Sequence, residues 1–377
     1  MINRRILASI CLLFSLLPSI TGWQASNTWI SLRESTKNDQ VITTQARDIA
    51  AVYHVEKRHS GKVIRIKPFT SANTKNAQTP AQLWHHLKQL LEQSDLQQIP
   101  IISTLLAERL RKYPDSGVYQ SITDLLLQPD EPVENKAILL DLLADIATPE
   151  ALTGLINLAE QGADFPLYLL VLQVIARIGD NRWDGKFHEE LSPVLETVWS
   201  NPEITDPAFL DAIGTAIAKV GAPEGVDQLL QTVSGNNTDN VTEETNRTKQ
   251  TVAFEAIPQV RNPDAVEVLS TWFKQAPLGT SAFEVSANAL VEIGSPKATQ
   301  EIIDWAKDAP AEGARNLKDL LTKIDDTSSL KAISTAQTQT FQNAEIKAVF
   351  DNAVALIGAS AALSVTTMDE PVPLLGN

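Results

Sequence analysis

The feature that most constrains this chain is a short pattern that recurs five times between residues 142 and 296. Its copies are Leu142 to Pro149, Val174 to Asn181, Ala216 to Pro223, Ala256 to Pro263 and Ala289 to Pro296. One apolar residue anchors each copy (Ile146, Ile178, Val220, Val260, Ile293), and the anchors lie 32, 42, 40 and 33 residues apart. A fixed period of this size is the signature of a repeat architecture, in which each unit buries its apolar face only by stacking on its neighbours.

The pattern reads as a helix end followed at once by a helix start. Gly179, Gly221 and Gly294 stand just past the last apolar residue, where a left-handed cap is expected. Pro149, Pro223, Pro263 and Pro296 come two positions later, where the fixed φ suits a first turn and the missing N–H is no loss. Thr148, Asn262 and Ser295 precede three of those prolines as N-caps. A joint this tight forces two antiparallel helices.

Matching faces extend from each joint. Leu143, Ile175, Ile217, Ile257 or Leu290 precedes the anchor by three positions. Small residues (Ala151, Gly225, Ala265, Ala298) and then larger ones (Leu155, Leu229, Leu269, Ile302) follow the proline at constant offsets. Two breaks are visible. The second copy lacks its proline and runs into an insertion at 180–190, and Pro258 inside the fourth copy should kink or shorten its first helix.

With its A-[IL]-x-x-[IV]-G-x-P-x-A joint, segment 134–325 resembles the HEAT family, including the shorter HEAT-like repeats first noted in phycobilisome lyases. The resemblance covers about half the chain and implies a fold: an all-α solenoid of antiparallel helical-hairpin repeats. It also implies that the exposed face of the second helices lines a concave groove. On that face lie Asp227, Glu267, Glu301 and Asp304, with Gln228, Gln231 and Gln300 between them. Glu150, Glu224 and Asp264 occupy first turns, where the helix dipole accounts for them.

The rest of the chain divides around the repeats. Arg4 and Arg5, the apolar run Ile6 to Leu17 and the small or polar exit Ser19, Thr21 and Gly22 read as a signal peptide over 1–22. Residues 23–79 form a basic segment with a small β-hairpin around Ser60-Gly61 and a linker from Ser71. Residues 80–133 show helical spacing and supply the first helices of the solenoid, and the repeats occupy 134–326. A Ser/Thr/Gln-rich linker, a C-terminal helix from Ala344 and a loose tail complete 327–377. Residues 234–249 read as a polar insertion with N-x-T sequons at Asn236, Asn240 and Asn246.

Charge and cysteine usage bound the function. Residues 23–80 hold nine Lys/Arg against four acids, and the residues beyond them carry the deficit that brings the chain to −15. An acidic body argues against nucleic acid and anionic lipid as partners, and past the signal no run is apolar enough for an integral membrane segment. Cys11, the sole cysteine, lies within the signal, so the processed chain has no thiol chemistry and no disulfide. That usage fits the periplasm, or secretion into the medium.

The sequence holds no H-E-x-x-H, G-x-S-x-G or phosphate-binding loop. His188-Glu189 is a single His-Glu pair, whereas HEAT-like iron hydroxylases need several. Asp180 and Asp184 faintly suggest a calcium loop, but Arg182 stands in a ligand position. The expectation is therefore no cofactor, no metal site and no enzyme. The chain reads as an exported scaffold that binds a protein, a basic one if the acidic groove is used, through its concave or insertion-bearing face. Two alternatives stay open: an enzyme or accessory subunit with a site built from the N-terminal segment and the 180–190 insertion, and a secreted host-directed factor.

Overall fold

The computed structural model describes residues 58–59, 62–63, 78–93, 97–160, 164–180, 182–235, 242–324 and 327–366. The chain separates into two compact units, Met1–Ala77 and Gln78–Asn377. In the first, β1 (Arg58–His59) pairs antiparallel with β2 (Lys62–Val63), with Arg58 opposite Val63 and His59 opposite Lys62. The signal peptide and the remainder of the basic segment lie outside the described residues.

The second unit is a HEAT-like all-helical solenoid. Its early helices are α1 (Pro80–Gln93), α2 (Ile99–Lys112), α3 (Ser116–Leu126), α4 (Val133–Ile146), α5 (Pro149–Glu160) and α6 (Phe165–Arg177). The middle ones are α7 (Ser192–Ser200), α8 (Pro207–Val220), α9 (Pro223–Val233), α10 (Glu243–Ala256) and α11 (Val266–Gln275). The array ends with α12 (Ser281–Ile293), α13 (Pro296–Asp308), α14 (Gly313–Leu321), α15 (Thr327–Ala336) and α16 (Ala344–Thr366). Among the described residues no helix is long and apolar enough to cross a membrane.

The helices alternate between two layers. Even-numbered helices from α2 to α16 pack each on the next, odd-numbered ones from α1 to α15 do the same, and antiparallel hairpins join the layers. Nearly every position that repeats in the sequence lies between them. Leu143, Ile175, Ile217, Ile257 and Leu290 are buried, as are Leu155, Leu229, Leu269 and Ile302; of the five anchors only Ile293 is partly exposed.

The joints use the caps that the sequence suggests, with one exception. Gly221 and Gly294 adopt left-handed φ values of 63° and 59°, and Asn262 and Ser295 accept from Asp264 N and Ala298 N at 3.0 and 3.2 Å. Gly179, expected to be left-handed too, is not. Its role is close approach, because a Cβ there would lie 2.8 Å from the Lys219 backbone. Ala147, where a joint lacks glycine, takes φ 45° itself.

One irregular segment follows the sequence reading and two depart from it. Pro258 does shorten its helix: α10 stops at Ala256 and a 3-10 turn, Ile257–Gln259, carries the chain onward. The expected insertion at 234–249 gives way to helix from Glu243, where Thr242 caps Thr245 N at 3.2 Å and two first-turn glutamates meet the dipole. Asn246 therefore sits on a helix, while Asn236 and Asn240 lie outside the described residues. The expected linker at 327–342 includes α15, whose Ser329, Ile333 and Ala336 are buried and which packs on α13.

Candidate interaction surfaces

The structure places Asp227 on α9, Glu267 on α11, and Glu301 and Asp304 on α13, three successive helices of the odd layer. Packed helices lie about 8–10 Å apart, so polar side chains on this face reach from one repeat to the next. Trp272 Nε1 donates to Asp227 at 2.7 Å, and Gln231 donates to the same carboxylate at 2.7 Å. Glu301 accepts from Ser270 at 2.6 Å and pairs with Lys274, both on α11. Lys307 and Gln300 hold Asp304 at 2.6 and 3.0 Å.

Partial burial raises the Glu301 carboxyl, but the bonds from Lys274 and Ser270 and the Lys274 charge outweigh it. The net shift is below the ordinary carboxylate range. Asp304 is lowered in the same way: burial acts against the shift, and Lys307 and Gln300 outweigh it. Asp227 and Glu301 thus hold partners on the neighbouring repeat, while Asp304 is held within its own helix. Glu267 is exposed, and among the described residues nothing pairs with its carboxylate.

A second polar cluster runs along the edge where the even helices end. Arg111, near the end of α2, donates to Ile146 O at 2.6 Å and Ala147 O at 3.2 Å, capping α4 with a cation at the negative end of its dipole. The 180–190 insertion closes over this contact. Trp183 Nε1 donates to Asp145 O at 2.7 Å, and the Arg111 guanidinium lies 5.1 Å from the Trp183 ring centre.

Glu190 lies 3.6 Å from Arg111 and 3.4 Å from His188 Nδ1. Burial raises the Glu190 carboxyl, but the His188 hydrogen bond, its own backbone N–H and the nearby charges leave it below the ordinary range. His188 is buried, and among the described residues its Nε2 has no hydrogen-bond partner.

The insertion also reaches the following repeats. Asp180 pairs with Lys219 at 2.9 Å, and Asn262 Nδ2 donates to Glu189 at 2.8 Å while facing Val220 O at 3.4 Å. It therefore clasps joints from α2 to α11. Reading motifs did not find Arg111 or Trp183; the signal available was three basic residues in the last turn of α2.

These contacts establish that the ends of α2, α4, α6, α8 and α10 are neighbours, so the even helices run parallel and their first turns share the opposite edge. There Ile101, Val133 and Phe165 stand in the first turns of α2, α4 and α6 and are 61, 62 and 72 % exposed. They recur at equal intervals of 32 residues. Leu127 and Leu169, also exposed, lie at the end of α3 and one turn into α6. A row of large apolar side chains in water is the informative deviation for a surface.

Further along this edge Tyr168 bonds to Asp206, which also caps α8 through Ala208 N and Phe209 N at 2.8 and 3.0 Å. Burial, then the Asp206 charge and hydrogen bond, push the Tyr168 phenol up to about 12. Beyond it a hollow of about 790 Å³ opens between Pro207 of α8 and Glu243, Glu244, Arg247 and Thr248 of α10.

No family model matches the chain, and no curated protein matches it. Among solved structures it is similar to human deoxyhypusine hydroxylase in complex with glycerol, at 16 % identity and a TM-score of 0.26, over 67 % of this chain and 90 % of that one. It is also similar to a computationally designed self-assembling cyclic homooligomer, at 15 % identity and a TM-score of 0.18, over 77 % of this chain and 94 % of that one. Figures this low carry no inference about activity or partner.

They do correct one expectation. The sequence reading took the chain to be no enzyme, yet a protein that it is similar to is a hydroxylase. That expectation rested on missing motifs of other folds, and missing motifs do not exclude an active site. Among the described residues no group of three or more His, Cys, Asp or Glu side chains converges as a metal would require.

Proposed function

We propose that this chain is an exported protein-interaction scaffold whose solenoid presents a partner surface at the edge formed by the first turns of the even helices. The observation that carries the reading is the exposure of Ile101, Val133 and Phe165, each above 60 %, in the first turns of three successive even helices. An acidic groove on the odd layer is a weaker basis, since Asp227, Glu301 and Asp304 already serve contacts within the array. The finer family reading, repeats of the shorter HEAT-like type, rests on the joint and its spacing. Export, to the periplasm or the medium, rests on the sequence of residues 1–22.

The test is site-specific photo-crosslinking in the native compartment, with the crosslinker placed at Val133, Glu190, Glu267 or Lys297. A defined adduct at Val133 that disappears with Phe165→Ser supports the scaffold and its surface. No adduct at any of the four positions refutes the scaffold, and finding the chain in the cytosol refutes export.

A further inference from the structure

Resting on that scaffold reading, the chemistry of the partner can be narrowed from the spacing and charge of the edge. We infer that the edge receives a basic amphipathic helix, which lies across the first turns of α2, α4 and α6 with one apolar residue over each of Ile101, Val133 and Phe165.

Spacing selects a helix. Neighbouring packed helices are about 8–10 Å apart, which sets the step between the first turns of α2, α4 and α6, where Ile101 is the third residue of its helix and Val133 and Phe165 are the first of theirs. A crossing helix repeats a face every seven residues, about 10.5 Å at 1.5 Å per residue. A crossing strand returns to the same face about every 6.8 or 13.6 Å, and neither distance meets three anchors in step.

Charge selects a basic one. The described residues of this edge, 127–134, 164–166, 201–207 and 242–247, carry eight carboxylates against one guanidinium, Arg247, which is paired with Glu243 at 2.6 Å. Asp130, Glu131, Glu134 and Asp164 border the apolar row, and Glu243 and Glu244 border the hollow. Capping accounts for Asp164 and Asp206, which accept backbone N–H groups. It does not account for Asp130 or Glu203. The opposite edge is different: Arg111, Arg177, Lys219 and Arg261 neutralise acids there across the joints. Among the described residues the first-turn edge alone combines exposed apolar side chains with uncompensated negative charge, which is complementary to a helix with leucines on one face and lysines beside them.

The experiment uses the full chain and a fluorescent synthetic helix carrying leucine every seven positions and lysine on both flanks. Its controls are a scrambled peptide of the same composition and a peptide with glutamate in place of lysine. The ordered basic peptide should bind the wild-type chain, and raising salt should weaken it. Ile101→Ser, Val133→Ser and Phe165→Ser together should reduce its affinity at least about tenfold with thermal melting unchanged. Glu134→Lys, at an exposed position, should weaken it on a folded background.

The inference is overturned if the scrambled peptide binds as well as the ordered one, or if the triple variant keeps its affinity. A Val133 adduct in the native compartment that proves to be a second copy of this chain also overturns it, while leaving the scaffold standing. Peptide binding without any native adduct does the reverse: the surface chemistry holds and the scaffold reading falls.

Discussion

Two glycines share a backbone conformation but not their surroundings, and alanine at each should separate backbone strain from packing. Gly221 and Gly294 close their helices at φ 63° and 59°. A left-handed residue with a Cβ costs about 1–2 kcal/mol, and replacing glycine returns about 0.4–1 kcal/mol through the unfolded chain. At Gly294 the nearest atom to a new Cβ is Val291 O at 3.9 Å, so that balance is the whole effect. Gly294→Ala should therefore cost about 1 kcal/mol.

At Gly221 the new Cβ would meet the Asn262 Cβ at 2.7 Å, and overpacking of that kind adds about 1–3 kcal/mol. Relief requires Asn262 to move, and Asn262 holds Glu189 of the insertion and caps the next helix. Gly221→Ala should thus lower stability by about 1–3 kcal/mol more than Gly294→Ala, a difference of several degrees in Tm. Because stacked repeats need not unfold in one step, calorimetry should be paired with amide exchange. Exchange should rise over 182–191 in Gly221→Ala alone. Equal losses for the two variants, or unchanged exchange there, would refute the argument that joint packing and the insertion are coupled.

Other expectations can be checked on the same material. Trp272→Phe keeps an aromatic side chain but removes the pyrrole part of the indole with its donor to Asp227, and should cost about 1–2 kcal/mol in denaturant unfolding. Glu190, Glu301 and Asp304 are all lowered, so their stabilisation is present above the ordinary carboxylate range and is lost as pH falls through their own, lower values. Melting temperature should hold near neutrality and fall below about pH 4, less steeply in Glu301→Gln. Tyr168 has the opposite sign: its stabilisation is complete below about pH 10 and lost as pH rises toward 12, so Tyr168→Phe should melt with a shallower alkaline decline.

What could be read from sequence follows from where the physics is local. The joints were legible because Gly221, Gly294, Asn262 and Ser295 act on backbone within a few residues, and their offsets repeat. Pro258 was legible for the same reason. Gly179 was misread because its constraint comes from Lys219, forty residues on. Residues 327–342 were misread because Ser329 and Ile333 pack against a neighbouring repeat, which composition does not record. The acidic residues of the odd layer were placed on the right helices. The partners of Asp227 and Glu301 (Trp272, Lys274 and Ser270) lie on another repeat, so no local pattern showed that these two are engaged, whereas Asp304 is held by Gln300 and Lys307 at helical spacing.

The same distinction explains why the two edges of the array differ. At the joint edge helix ends leave orphan carbonyls beside short turns, and Arg111, Trp183 and Asn262 donate to carbonyls there while Lys219 pairs with Asp180 of the insertion. Connections at the opposite edge are longer, and Asp164, Asp206, Thr242 and Thr280 cap their helices from single positions. Ile101, Val133 and Phe165 are themselves exposed in the first turns of α2, α4 and α6, so packing does not require an apolar residue at any of the three. Their interval of 32 residues was in the sequence throughout, one anchor beside each of Pro100, Pro132 and Pro166. It gained meaning only when the contacts at the joints showed that the even helices are parallel, which turns a sequence interval into a row on one edge.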